Sequence, residues 1–230
     1  MSLGYFAAGA ARPPNNRASH YYYTSGVRTL WQCPSDAVAA LVLAHGAGAG
    51  MEHRHMQALA DAFERRGIAT LRFDFPYMVA GKSRTDPPDV AAAAIAAAAA
   101  EARTRTKLPL WLGGHSFGGR MASHAVAEHG LDAAGLIFCS FPLHMPGKPD
   151  VKRAAHLSKV GRPMLFLSGT RDELAERELL TKVVSCLPRA TLHWLDTADH
   201  GFKVLKRSRA SAEDVYDEAA RVARDFVDRS

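Results

Sequence analysis

The stretch Gly113-Gly114-His115-Ser116-Phe117-Gly118-Gly119 contains the spacing Gly114-x-Ser116-x-Gly118, set between a short apolar run and a helical pattern. A strand-to-helix turn this tight exposes a serine hydroxyl at a helix N-terminus, where the dipole favours negative charge. Side chains two residues before and after the serine would collide with neighbouring backbone, so glycine is needed at both positions. The spacing alone arises by chance in roughly one chain in ten of this length. Its placement after a strand and before a helix is what gives it weight. The chemistry on offer is nucleophilic attack by Ser116 on an acyl carbonyl.

A serine hydroxyl needs a base, and the base needs an acid to orient it. Asp172 lies in Gly169-Thr170-Arg171-Asp172-Glu173 and His200 in Asp196-Thr197-Ala198-Asp199-His200-Gly201-Phe202, each just past an apolar run. The chain order is Ser, Asp, His. Asp196 and Asp199 compete as the acid, but Asp172 follows its own strand and can reach the imidazole from the side. The oxyanion of a tetrahedral intermediate also needs donors, worth roughly 3–4 kcal/mol each. One is expected from the amide of Phe117. The other is expected from Ala47 in the loop His45-Gly46-Ala47-Gly48-Ala49-Gly50. That loop is neither GxGxxG nor followed by GK[ST], which argues against a nucleotide cradle. His45 is expected to brace it, and Asp74 to anchor a loop. Tyr77 and His144 are weaker candidates, as residues lining the substrate site. Glu52, His53 and His55 sit together without a third or fourth ligand in view, so no metal is expected. The chemistry calls for no cofactor either.

These groups require a scaffold. Strands are expected at Tyr21–Thr24, Val27–Gln32, Ala39–Ala44, Ile68–Phe75, Leu108–Leu112, Gly135–Ser140, Met164–Ser168 and Thr191–Leu195. Helices are expected at His53–Arg66, Asp89–Thr104, Phe117–His129, Ala175–Cys186 and Ser211–Asp228, the last capped by Ser211 with Asp214 three residues on. From Ala39 onward the strands are continuous apolar runs, the mark of strands buried on both faces of a mostly parallel sheet. Functional groups then collect at the carboxyl ends of the strands. The tract Ala91–Ala100, broken only by Ile95, reads as a soluble helix with a small-residue face close to the sheet.

The 230 residues are 47% hydrophobic and 23% charged, which excludes disorder and collagen-like chains and permits one α/β domain over 21–230 after a lead-in at 1–20. A net charge of +6 attracts anions, but the basic residues are scattered apart from Lys203–Arg209 and no nucleic-acid module accompanies them. A small acyl substrate is therefore the expected partner, rather than nucleic acid or a membrane. Cys33, Cys139 and Cys186 show no paired spacing, and Met1 to Ala11 lacks a signal-peptide pattern. No run of about 18 apolar residues occurs, and a cytoplasmic location is expected.

The sequence resembles the α/β-hydrolase superfamily from about Val27 to the C-terminus, and within it the uncapped dienelactone-hydrolase-like branch. The segments His45-Gly46-Ala47-Gly48, Leu71-Arg72-Phe73-Asp74-Phe75-Pro76-Tyr77, Gly114–Arg120 and Gly169–Asp172 are also similar to uncharacterised bacterial hydrolases related to a subunit of the non-specific-lethal chromatin complex and to a testis-expressed protein. The resemblance implies a mostly parallel sheet of seven or eight strands with helices on both faces. It implies Ser116 as nucleophile, Asp172 as acid and His200 as base of a carboxylesterase-like enzyme, with thioester, lactone and amide left open beside carboxylic esters. Dienelactone hydrolases proper carry a cysteine nucleophile, so lactone hydrolysis is not simply inherited. The kinship with a chromatin subunit keeps a second reading open, a non-enzymatic interaction module on a hydrolase fold. Only Phe141 to Arg162 separate two strands where family members carry a lid, enough for a loop and a short helix. An open site is expected, walled by the loops Pro76–Asp89 and Phe141–Pro149. Lys82, Arg84, Lys148 and Lys152 on those loops read as its solvated rim.

Overall fold

The apolar run Ala39–Ala44 is buried at every position, yet its side chains part by parity. Ala40, Val42 and Ala44 join one core cluster, while Ala39, Leu41 and Leu43 join another. Period-two alternation in a strand covered on both sides requires that split. The computed structural model describes residues 20–24 and 27–230; the expected lead-in at 1–20 falls almost wholly outside them.

Eight strands form one sheet: β1 (His20–Thr24), β2 (Val27–Gln32), β3 (Ala39–Ala44), β4 (Ile68–Phe73), β5 (Leu110–His115), β6 (Leu136–Cys139), β7 (Met164–Gly169) and β8 (Ala190–Leu195). Their spatial order is β1-β2-β4-β3-β5-β6-β7-β8. The pairs β1–β2 and β2–β4 are antiparallel, and all other pairs are parallel. Among the described residues, six helices accompany it: α1 (Arg54–Arg65), α2 (Pro76–Val79), α3 (Pro88–Arg105), α4 (Phe117–His129), α5 (Arg177–Ser185) and α6 (Val215–Arg229). Helices α1 and α6 cover one face, and α3, α4 and α5 the other. The alanine tract lies in α3, which buries Ala91, Ala92, Ala94, Ile95, Ala98, Ala99 and Ala102. The sheet order reverses at β3, whose neighbours are β4 and β5, so the crevice beyond their carboxyl ends is the switch point where ligands bind in such sheets.

Two element ends differ from the sequence expectation in ways that matter. Strand β5 does not stop at Leu112 but runs through Gly113, Gly114 and His115, with Gly114 opposite Ala44 of β3. Glycine is a poor strand former in isolation; here it is the only residue that fits. Helix α6 begins at Val215, not Ser211: the Asp214 carboxylate accepts from the Tyr216 amide at 2.9 Å, while Ser211 serves a turn one step earlier through Glu213 N–H. Between β6 and β7, a 3-10 helix at Lys152–Lys159 packs against α4, and no cap is built there.

Candidate active site

Ser116 occupies the hinge between β5 and α4 with φ 51° and ψ −115°, a conformation L-residues rarely adopt. The turn is forced by close backbone approach. A Cβ on Gly114, whose φ is +143°, would lie 2.0 Å from the Ala44 carbonyl oxygen, and one on Gly118 would lie 2.5 Å from the same atom. The strain leaves the serine side chain free of any capping role in α4. Its hydroxyl instead donates to His200 Nε2 at 2.8 Å. His200 Nδ1–H in turn donates to the Asp172 carboxylate, 2.9 Å from each oxygen. Asp172 is buried and also accepts from the Leu174 amide, so its carboxylate is fixed at two points. The rival acids are committed elsewhere. Asp196 accepts from the Ala210 amide, and Asp199 from the amides of Gly201 and Lys203.

The loop after β3 is held from behind. His45 is fully buried; its Nε2 accepts from the Phe75 amide at 3.1 Å, which puts the proton on Nδ1, donating to the Gly46 carbonyl at 2.7 Å. Burial lowers the pKa of this imidazole and keeps it neutral, against the opposing pull of Gly46 and Asp74. Asp74 anchors the same loop by accepting from the Met51 amide at 2.8 Å. The Gly46 carbonyl receives a second donor, the Tyr77 hydroxyl at 3.2 Å, which also reaches the Ala47 carbonyl at 3.0 Å. In a trans peptide the N–H points opposite to the C=O. Two side chains clamping the Gly46 carbonyl therefore aim the Ala47 amide away from them. Neither that amide nor that of Phe117 donates to another described residue.

Two expected substrate contacts are corrected here. Tyr77 is buried, stacked on Phe75 and edge-on to Phe117, and lies outside the cavity at Ser116. Burial pushes its hydroxyl up to about 12, so it remains a donor. Its position was unreadable from sequence because its partners lie about thirty residues away. His144 is likewise buried; its Nδ1–H donates to the Met145 carbonyl and its Nε2 faces the Glu176 amide at 3.4 Å, beside a separate cavity of about 200 Å³. Lys148 and Lys152 line that same separate cavity.

The cavity that opens on Ser116 and His200 holds about 1150 Å³. Its walls are not the loops expected from the sequence. They come from Gly46–Ala49, from the start of α1, and from Asp199–Lys206 with the start of α6. Met56, Leu174, Phe202, Val204 and Val215 give it apolar surface, and Arg54, Lys203 and Lys206 stand on it as cations. His53 is used locally as the N-cap of α1, and no group of three or more potential metal ligands occurs among the described residues. Also among these residues, no helix is long and apolar enough to cross a membrane.

A profile of the alpha/beta hydrolase domain matches residues 37–228. The chain belongs to the alpha/beta hydrolase family. The fold of this α/β-hydrolase is shared with Est1E from Butyrivibrio proteoclasticus, solved with ferulic acid, at 16% identity and a TM-score of 0.69 over 91% of this chain and 99% of that one. A serine hydrolase without lid from Xanthomonas campestris aligns at 21% identity and TM-score 0.66, over 88% of each chain. Dienelactone hydrolase from Anabaena variabilis aligns at 18% and 0.69, over 88% of this α/β-hydrolase and 91% of its own length.

Removing the Tyr77 hydroxyl tests the loop clamp. On the acyl-transfer chemistry expected from the sequence, Tyr77→Phe is predicted to lower kcat on an ester about tenfold with little change in KM, because the peptide bearing the Ala47 amide loses one of its two holds while the cavity walls stay in place. Steady-state kinetics with a p-nitrophenyl ester decide the matter; an unchanged kcat shows that His45 alone holds the loop.

Proposed function

We propose that this α/β-hydrolase is a serine hydrolase that cleaves a small ester-type acyl substrate through an acyl-enzyme on Ser116. The observation that carries the reading is the unbroken relay from the Ser116 hydroxyl through His200 to buried Asp172, with its open end on a partly apolar cavity. His200 takes the hydroxyl proton as Ser116 Oγ bonds to the acyl carbon. Asp172 holds the imidazole in the Nδ1–H tautomer and stabilises the imidazolium. The amides of Ala47 and Phe117 meet the oxyanion. The carbonyl re-forms, the leaving oxygen departs with the proton from His200, and a water deprotonated by His200 then releases the acid. Carboxylic esters are the leading substrates on the family resemblance; thioesters, lactones and amides are open to the same chemistry. The cavity volume accommodates an acyl group well beyond acetyl. Aryl-acid esters belong in the substrate screen, given the ferulic acid held by the Butyrivibrio neighbour.

A fluorophosphonate probe tests the assignment. It is expected to add one phosphonyl group to Ser116, located by peptide mass, and to leave Ser116→Ala unmodified. Equal labelling of the two would sink the nucleophile assignment. The other reading, an interaction module, rests only on the sequence resemblance to a chromatin-complex subunit. Complete inactivity of the folded protein across p-nitrophenyl esters and thioesters of rising chain length would favour it.

A further inference from the structure

We propose that His115, the residue just before Ser116, is a positioning residue that holds the main chain of His200 in register with Ser116. The inference rests on the acyl-transfer reading above. Ser116 touches the imidazole of His200, whereas His115 touches its backbone: Nε2 of His115 lies 2.9 Å from the His200 carbonyl oxygen. Two consecutive residues of the β5–α4 turn thus grip one residue that is more than eighty positions away, at its side chain and its carbonyl. Two points of attachment fix an orientation as well as a distance.

The segment that carries His200 needs such a hold. It follows β8 as an irregular loop in which Thr197 and Phe202, neither of them glycine, have φ of 56° and 64°. Among the described residues, the His200 carbonyl receives no hydrogen bond other than that of His115.

The ring is held on its other sides too. A Cβ on Gly46 would lie 2.7 Å from His115 Nδ1, so the imidazole is seated directly against the loop that carries Ala47. His55 stands edge-on to it, ring centres 4.4 Å apart, and is itself hydrogen-bonded to the Tyr216 hydroxyl at 2.9 Å. Burial, reinforced by the neighbouring imidazoles of His55 and His200, holds His115 neutral. A neutral imidazole has one N–H, and against a carbonyl that proton must sit on Nε2. The Nδ1 edge facing Gly46 is then bare, which is what the tight approach requires.

Displacement of a reacting group by about 1 Å costs on the order of 100-fold in rate. The test compares His115→Gln with His115→Leu, which are similar in size, though only glutamine carries a donor able to reach the His200 carbonyl. With a p-nitrophenyl ester, the Leu variant is expected to lose about 100-fold in kcat with KM within about twofold, and the Gln variant to stay within about tenfold of wild type. Equal impairment of both, or of neither, overturns the proposal. Two readouts do not depend on turnover. Exchange of the amides at residues 199–202 is expected to be about tenfold faster in the Leu variant than in the Gln variant. The ring nitrogen shifts of His115 in the wild type at pH 7 are expected to show the neutral Nε2–H tautomer; the Nδ1–H tautomer or a cation overturns the proposal even if neither variant folds. If the wild type fails to react with fluorophosphonate while these two readouts hold, the acyl-transfer reading falls and the backbone grip stands.

Discussion

Replacing Ser116 with alanine is expected to lower kcat for ester hydrolysis by about 10⁶-fold, and replacing His200 to do nearly the same. The two losses are not additive. The hydroxyl is weakly nucleophilic until the imidazole accepts its proton, and the imidazole has nothing to activate once the hydroxyl is gone. The double variant should therefore be hardly worse than either single one. Asp172→Asn should cost about 10⁴-fold, because an amide in place of the carboxylate presents the wrong hydrogen-bonding partner to Nδ1 and favours the unproductive tautomer. Residual activity above water should persist in all of them, since the Ala47 and Phe117 amides remain. Pre-steady-state and steady-state kinetics on one activated ester check the set; a Ser116→Ala enzyme within tenfold of wild type removes the mechanism.

Acidification should destabilise the fold well before most carboxylates titrate. Four imidazoles, those of His45, His55, His115 and His156, are held below their ordinary range chiefly by burial, with His55 and His156 both lowered to about 4. The unfolded chain protonates its histidines below about 6.5. Between that pH and about 4 the unfolded state binds more protons than the native one, so stability falls as pH falls. By pH 5, His55 and His156 should each have withdrawn roughly 2 kcal/mol. His156 offers the cleaner probe because it lies away from the candidate site. Its Nε2–H donates to Ser123 Oγ at 2.7 Å, and its ring stacks on His124 at 3.7 Å, tying the 3-10 helix to α4. Arg120, Lys159 and His124 oppose a charge there and Glu128 favours one. Urea midpoints should drop steeply from pH 6.5 to 5 in the wild type and less so in His156→Gln. A flat midpoint over that interval contradicts the burial argument.

Ser116, Asp172 and His200 were legible in the sequence for a topological reason. Parallel strands covered on both faces bring their carboxyl ends to one edge, so residues just after Leu112, Ser168 and Leu195 were placed near one another before any distance was known. The walls were not legible. Which loop folds over the edge depends on contacts between distant segments, and here α1, α6 and the loops beside them line the cavity while the loops after β4 and β6 do not. Tyr77 and His144 looked like substrate contacts because they sit on those loops, but each has its polar atoms engaged with backbone. His115 was read only as a place-holder in a glycine-rich pattern. A pattern of that kind records where side chains are forbidden and is silent about what the permitted one reaches.

The division of labour across the sheet has an evolutionary consequence. The serine's turn leads into α4 on one face, whereas much of the wall of the cavity beside it comes from α1, α6 and the loops that join them to the strands. Mutations on the second face can retune which acyl groups are accepted while the reacting atoms stay where they are. Lineages descended from such a scaffold are free to diversify in diet without relearning the reaction.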